Sequence, residues 1–139
     1  MQETLSSQER RSGGADRISG GLLYGLRLAV TAQGVALVVA ASFAGQAVET
    51  ASMGESHVMA GMVVHLVALV QIVLAVLFWR PGRGAGWPAL ASVALFVVGL
   101  AQHVTWLWLG AHLPNGVILF GLITALLIWV WSPAAARRR

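Results

Sequence analysis

Residues 57–79 read HVMAGMVVHLVALVQIVLAVLFW, a run without a single charged side chain. About 20 apolar residues cross the hydrocarbon core of a bilayer as a helix, so this stretch predicts a membrane-spanning helix. Three further apolar stretches of similar length cover residues 22–44, 87–109 and 114–131. The sequence therefore predicts an all-α, multi-pass integral membrane protein, a four-helix bundle lying in the lipid bilayer of the cell (plasma) membrane.

The composition fits one membrane domain and excludes several kinds of site. Of the 139 residues, 58% are hydrophobic and 10% are charged, which is more apolar than a soluble domain of this size needs. The chain has no cysteine, so disulfides, iron–sulfur clusters and thiolate metal sites are excluded. We expect residues 1–19 to be a disordered cytoplasmic tail, residues 20–132 the transmembrane domain, and residues 133–139 a basic cytoplasmic tail.

The positive charges predict the orientation of the helices. Eight of the nine arginines fall on one side of the predicted spans: Arg10, Arg11, Arg17, Arg80, Arg83, Arg137, Arg138 and Arg139. The loops on the other side carry Glu49 and Glu55. The positive-inside rule then makes both termini cytoplasmic, and arginines placed in this way predict no nucleic-acid partner. The ninth, Arg27, lies near enough to the inner surface to snorkel.

A weak internal repeat relates the two halves of the chain. The first and third spans share Val35-Ala36-Leu37 and Val93-Ala94-Leu95. The second and fourth share the pattern H-x-x-x-G, at His57 with Gly61 and at His112 with Gly116. These matches predict two helical hairpins related by a pseudo-twofold axis.

The histidines are the candidate functional residues. A histidine where hydrocarbon begins is costly without a partner or a metal, and His57 and His112 both lie there. The glycine one helical turn after each of them, Gly61 and Gly116, is expected to clear space for something flat. His65 is predicted to lie about 12 Å below His57, and His103 about 9 Å from the outer end of its helix.

Three interpretations of these histidines stay open. The first is b-type haem, whose iron takes an imidazole on each axial face from facing helices. The second is copper or zinc bound by His57 with the nearby methionines Met53, Met59 and Met62. In the third, His57 and His112 cap helices and meet lipid headgroups, while His65 and His103 form hydrogen bonds across the bundle.

No catalytic motif accompanies the histidines. Every Asp and Glu lies outside the four spans, which argues against a proton-coupled transporter or an ion channel. The mid-span amides Gln33 and Gln71 are expected to bond between helices or to a ligand. We therefore expect that the protein is not an enzyme by itself.

From residue 20 to 132, the chain resembles one four-helix half of the haem A synthase family, and also small four-helix membrane proteins of similar layout. The match falls on His57, at the start of the second helix, and His112, at the start of the fourth. The resemblance implies haem ligands at the outer ends of these helices. The family's cysteine pair is missing, and Val58 and Leu113 stand where an arginine typically follows a ligand histidine, so it implies haem binding rather than synthase activity.

The sequence thus predicts a haem b protein for electron transfer or redox sensing. Its metal ligands are His57 and His112, with His65 and His103 as the alternative pair, and Gly61 and Gly116 flank the cofactor. The competing hypothesis is a cofactor-free accessory or structural subunit of a larger membrane complex. Homodimerisation is also open, because one half of a two-half family can complete itself by pairing.

Overall fold

A computed structural model of the protein describes residues 19–51 and 54–137. In these ranges it contains four α-helices and a short 3-10 turn, and no strand: α1 Gly20–Glu49, α2 Glu55–Trp79, α3 Trp87–Thr105, α4 Leu109–Trp131 and the turn Pro133–Ala136. All four helices are long and apolar enough to cross a membrane. The predicted all-α four-helix membrane fold is confirmed. Residues 1–18, 138 and 139 of the predicted tails lie outside the described residues.

The helices form a ring in which each packs against the next and α4 returns to α1. This order places α2 and α4 diagonally across the bundle. Apolar side chains fill its interior, including Leu26, Val30, Phe78, Leu95, Ile123 and Leu126. Apolar side chains also cover its outside, as a surface facing lipid requires. We call the end that carries Arg27, Arg80 and Arg83 the arginine end, and the end that carries His57 and His112 the histidine end.

The helix boundaries differ from the predicted spans at the histidine end. Helix α1 has 30 residues, about 45 Å, so it extends well beyond a hydrocarbon core of roughly 30 Å. The turn between α3 and α4 lies at residues 106–108, not at 110–113 as the spans implied. Pro114 lies inside α4, because the amides of Ala111 and His112 already bond to the carbonyl of Trp108 and begin the helix there.

One hydrogen bond recurs in the two hairpins. In the first, Nδ1 of His57 donates to the carbonyl of Ala40 at 2.8 Å. In the second, the Asn115 amide donates to the carbonyl of Val98 at 2.9 Å. The two Val-Ala-Leu stretches begin 58 positions apart, and the same offset relates Ala40 to Val98 and His57 to Asn115. This equivalence supports the predicted repeat at one point, and it matches His57 with Asn115 rather than with His112.

The middle of the bundle holds one buried polar pair. The Gln71 amide donates to the Ser92 hydroxyl at 3.0 Å, which in turn donates to the carbonyl of Pro88 at 2.7 Å. The predicted interhelical bond is therefore present for Gln71. Gln33 is equally buried, but its Oε1 has no hydrogen-bond partner among the described residues, and neither has Oε1 of Gln71.

Candidate functional site: the histidine end

His57 is held by one hydrogen bond from its ring to the backbone of α1. It lies on the first turn of α2, three residues after the N-cap Gly54, whose φ of +68° is a left-handed conformation that favours glycine. A side chain at Gly54 would also stand 3.2 Å from Cβ of Ala47. The bond from Nδ1 of His57 to the Ala40 carbonyl fixes the ring proton on Nδ1, so Nε2 of neutral His57 carries a free lone pair.

His112 faces His57 across the bundle. It lies on the first turn of α4, and its ring centroid is 6.1 Å from that of His57, with an interplanar angle of 70°. Both rings are half-buried. Because α2 and α4 are diagonal in the ring of helices, these two imidazoles project toward each other from opposite sides.

Two polar side chains of α3 lie beside Nδ1 of His112: Thr105, whose hydroxyl is 3.5 Å away, and Gln102. With its amide nitrogen toward His112, it donates to the His112 carbonyl at 3.1 Å and to Nδ1 at 2.9 Å, while its oxygen accepts from the Gly116 amide at 3.0 Å. Neutral His112 then carries its proton on Nε2. A half turn of the amide would put its oxygen on Nδ1 and reverse the tautomer, leaving Nε2 free. Sequence reasoning did not identify Gln102 as a site residue.

His65 lies two helical turns below His57 on α2. Its Nδ1 donates to the carbonyl of Gly61 at 2.7 Å. Its Nε2 is buried and has no hydrogen-bond partner among the described residues. The ring lies so close to α3 that a methyl group added at Gly99 would be 3.2 Å from Nε2. His65 therefore offers a free lone pair in a confined place.

His103 packs directly on His65. The two ring centroids are 4.8 Å apart at 77°, and Phe96 lies 5.6 Å from the His65 ring. The predicted depth of His103 is wrong, because α3 ends at Thr105 and His103 is only about 3 Å from that end. Its side chain is exposed. The structure brings together both predicted pairs, but with different spacing.

The spacing decides which pair could hold one metal ion between its rings. With metal–nitrogen bonds of roughly 2 Å, two imidazoles on opposite faces of an ion have centroids about 6 Å apart. The His57–His112 distance of 6.1 Å meets this requirement. The His65–His103 distance of 4.8 Å is too short, so the alternative pair would have to separate.

The two glycines expected to clear space do so unequally. A methyl group at Gly61 would meet no described atom within 4 Å, whereas one at Gly116 would lie 3.2 Å from the Gln102 amide. The space predicted beside Gly116 is thus filled by Gln102. Of these two glycines, Gly61 has free space beside it and Gly116 does not.

The copper or zinc interpretation gains no support from the geometry. Within residues 19–51 and 54–137, no three His, Asp or Glu side chains are grouped closely enough to hold a metal ion. Met59 and Met62 are 62% and 57% exposed on the outside of the bundle, as lipid-facing residues are. Met53 lies outside the described residues.

Comparison with protein families, curated proteins and solved structures found no match to this chain. The resemblance to one half of haem A synthase therefore rests on the histidine and glycine pattern, and it stays a prediction.

Proposed function

We propose that the protein binds b-type haem at the histidine end, with His57 and His112 as axial ligands, and that it serves in electron transfer or redox sensing. The observation that carries the proposal is the 6.1 Å separation of the two rings. This is the spacing that a bis-imidazole metal centre needs, on diagonal helices of a bundle, which is where bundles place cofactor ligands.

The surroundings of His57 support the same assignment. A metal-bound histidine usually donates its other ring N–H to a carbonyl, which fixes the tautomer and makes the ligand more basic. His57 already does this through Ala40. His112 would need a half turn of the Gln102 amide to do so, at the cost of the amide's bonds to the His112 carbonyl and from the Gly116 N–H. Gly61, with free space beside it, leaves room next to the His57 ligand.

Bound haem would supply one-electron chemistry, and the protein's residues would set where that chemistry takes place. His57 and His112 both lie on the first turns of their helices, so the centre would lie near the membrane surface. By the positive-inside rule this surface is the outer one. An electron-transfer partner would then approach from outside the membrane.

The visible spectrum of the purified protein tests the proposal. We expect protein expressed with ample haem to show the split, low-spin bands of a bis-histidine centre after reduction. Haem added to the apoprotein in detergent should bind with one equivalent per chain. Met59→Ala provides a matched control, because Met59 lies two residues from His57 but faces outward, and its spectrum should not change.

A wild-type protein that remains colourless after both treatments would overturn the proposal. That result would favour the cofactor-free accessory subunit. Replacement of His57 or His112 by Ala without any spectral change would equally exclude this ligand pair.

A further inference from the structure

A groove of about 340 Å³ runs along the seam between α1 and α4, on the lipid-facing side of the bundle. Its lining is apolar except for Thr31 and Thr124, and it includes Val35 and Val39 of α1 and Phe120 of α4. From Thr31 to Val39 it extends about 12 Å along α1. This length lies within one leaflet, whose hydrocarbon layer is roughly 15 Å thick.

A cation lies at the arginine end of this groove. Arg27, one helical turn before Thr31, donates from Nε to the carbonyl of Val130 at 2.9 Å. Its guanidinium also lies 5.0 Å from the ring centroid of Trp131. These contacts hold the guanidinium at the last turn of α4, at the edge of the membrane-spanning region. Arg27 is therefore held by a defined contact with α4.

Polar contacts join the cation to the groove. Trp131 donates from Nε1 to the hydroxyl of Thr31 at 3.2 Å, and that hydroxyl donates to the carbonyl of Arg27 at 2.8 Å. The bond from Nε to Val130 leaves the two terminal nitrogens of Arg27 with four N–H donors. A planar pair of such donors matches the oxygens of a phosphate.

We propose that this seam binds an anionic phospholipid of the leaflet at the arginine end. The phosphate pairs with Arg27, and one acyl chain occupies the groove from Thr31 to Val39. Charge complementarity favours an anionic lipid as the occupant. The groove ends at the cation Arg27, which the contacts with Val130 and Trp131 hold in place. A zwitterionic lipid would present the same phosphate together with a positive charge beside Arg27, so it should bind less well.

Native mass spectrometry with defined lipids tests this assignment. Protein in detergent is mixed with phosphatidylglycerol or phosphatidylcholine, and the bound lipids are counted as detergent is removed. We expect one phosphatidylglycerol molecule to be retained roughly fivefold more strongly than phosphatidylcholine, because choline places a positive charge beside Arg27. Arg27→Gln should abolish the preference, and Val35→Trp, which fills the groove from its exposed side, should abolish retention of both lipids.

The chain supplies matched controls for both variants. Arg80 lies 4.8 Å from the ring of Trp79 at the same end of the bundle and does not line the groove, so Arg80→Gln should keep the preference. Val93, exposed on α3, is also not a lining residue, and Val93→Trp should retain both lipids. Equal retention of the two lipids by wild type, or equal losses in Arg27→Gln and Arg80→Gln, would overturn the proposal.

A second copy of the chain is the competing occupant. If Val35→Trp converted a dimer to a monomer and left lipid retention unchanged, the groove would be a protein interface and the lipid assignment would be wrong. Should Arg27→Gln fail to fold, Val35→Trp still decides the question, since Val35 is 60% exposed and its replacement does not disturb the interior.

Discussion

The imidazole of His65 lies against that of His103, edge to face, with ring centroids 4.8 Å apart. The contact leaves no room for an ion between the rings, and the His65 ring also lies against Gly99 of α3. His65 and His103 therefore pack as an interhelical pair, whereas His57 and His112 stand apart at ligand spacing. The two pairs should respond differently to substitution.

Four single alanine variants separate the two pairs. We expect His57→Ala and His112→Ala to lose the low-spin haem spectrum, because each removes one axial ligand. His65→Ala and His103→Ala should keep the spectrum while lowering the unfolding temperature, because they remove packing between α2 and α3. Visible spectra and thermal unfolding of the same preparations measure both effects.

The reverse pattern would identify His65 and His103 as the ligands. In that case the two rings would have to move apart on binding, and the haem would lie deeper in the bundle.

Substitution of Gln102 should change the haem affinity and the reduction potential, because Gln102 contacts the proposed ligand His112. Haem binding through Nε2 of His112 requires the Gln102 oxygen to accept from Nδ1–H, and loss of such an acceptor typically costs 10–100-fold in metal affinity, so Gln102→Met should bind haem more weakly. Gln102→Glu provides a carboxylate that accepts from Nδ1–H, so His112 should become more electron-rich and the reduction potential should fall. Haem titration and redox potentiometry measure the two outcomes. Gln46→Met, an exposed amide at the same end, is the control, and a potential that is identical in all three variants would contradict this role.

The buried pair of Gln71 and Ser92 gives a prediction about stability. Ser92→Ala leaves the Gln71 amide without its partner and should destabilise the bundle by about 1 kcal/mol. Gln71→Leu should cost less, because it also removes an oxygen that has no partner among the described residues, and Ser92 keeps its bond to Pro88. Unfolding in detergent by increasing denaturant compares the two. A greater loss of stability in Gln71→Leu than in Ser92→Ala would contradict this prediction and show that Oε1 of Gln71 makes a stabilising contact.

Reporter fusions test the orientation on which the leaflet and surface assignments rest. Fusions after Arg83 and after Arg139 should report cytoplasm, and one near Thr50 should report the opposite side. Four spanning helices place both chain ends on one side, and the arginines choose which side it is. A cytoplasmic signal near Thr50 would move the haem centre to the inner surface and the lipid site to the outer leaflet.

The fold was predictable because a bilayer imposes one requirement on every span. Long stretches such as residues 57–79 must satisfy their backbone groups as helices, so hydropathy and length were sufficient. The α3–α4 turn was misplaced because Trp106, Leu107 and Trp108 are as apolar as a span. The backbone bonds to Trp108 that begin α4 cannot be read from hydropathy.

The histidine pairs were predictable in part, and their neighbours were not. His57 and His112 follow from topology, because both stand at the same end of alternate helices. The amide of Gln102 lies beside His112 only because of the rotation of α3 about its axis, which the apolar sequence does not record. The spacing within each pair depends equally on how closely the helices pack, and Gly99 allows the close approach at His65.

The Arg27–Val130 hydrogen bond joins residues 103 positions apart in the chain. During synthesis, therefore, the first helix enters the membrane long before the helix that accepts its guanidinium exists. Contacts between such distant segments form late in folding. The α1–α4 seam should consequently be the last to close, and until α4 has been synthesised, the Arg27 guanidinium lacks the Val130 carbonyl as its acceptor.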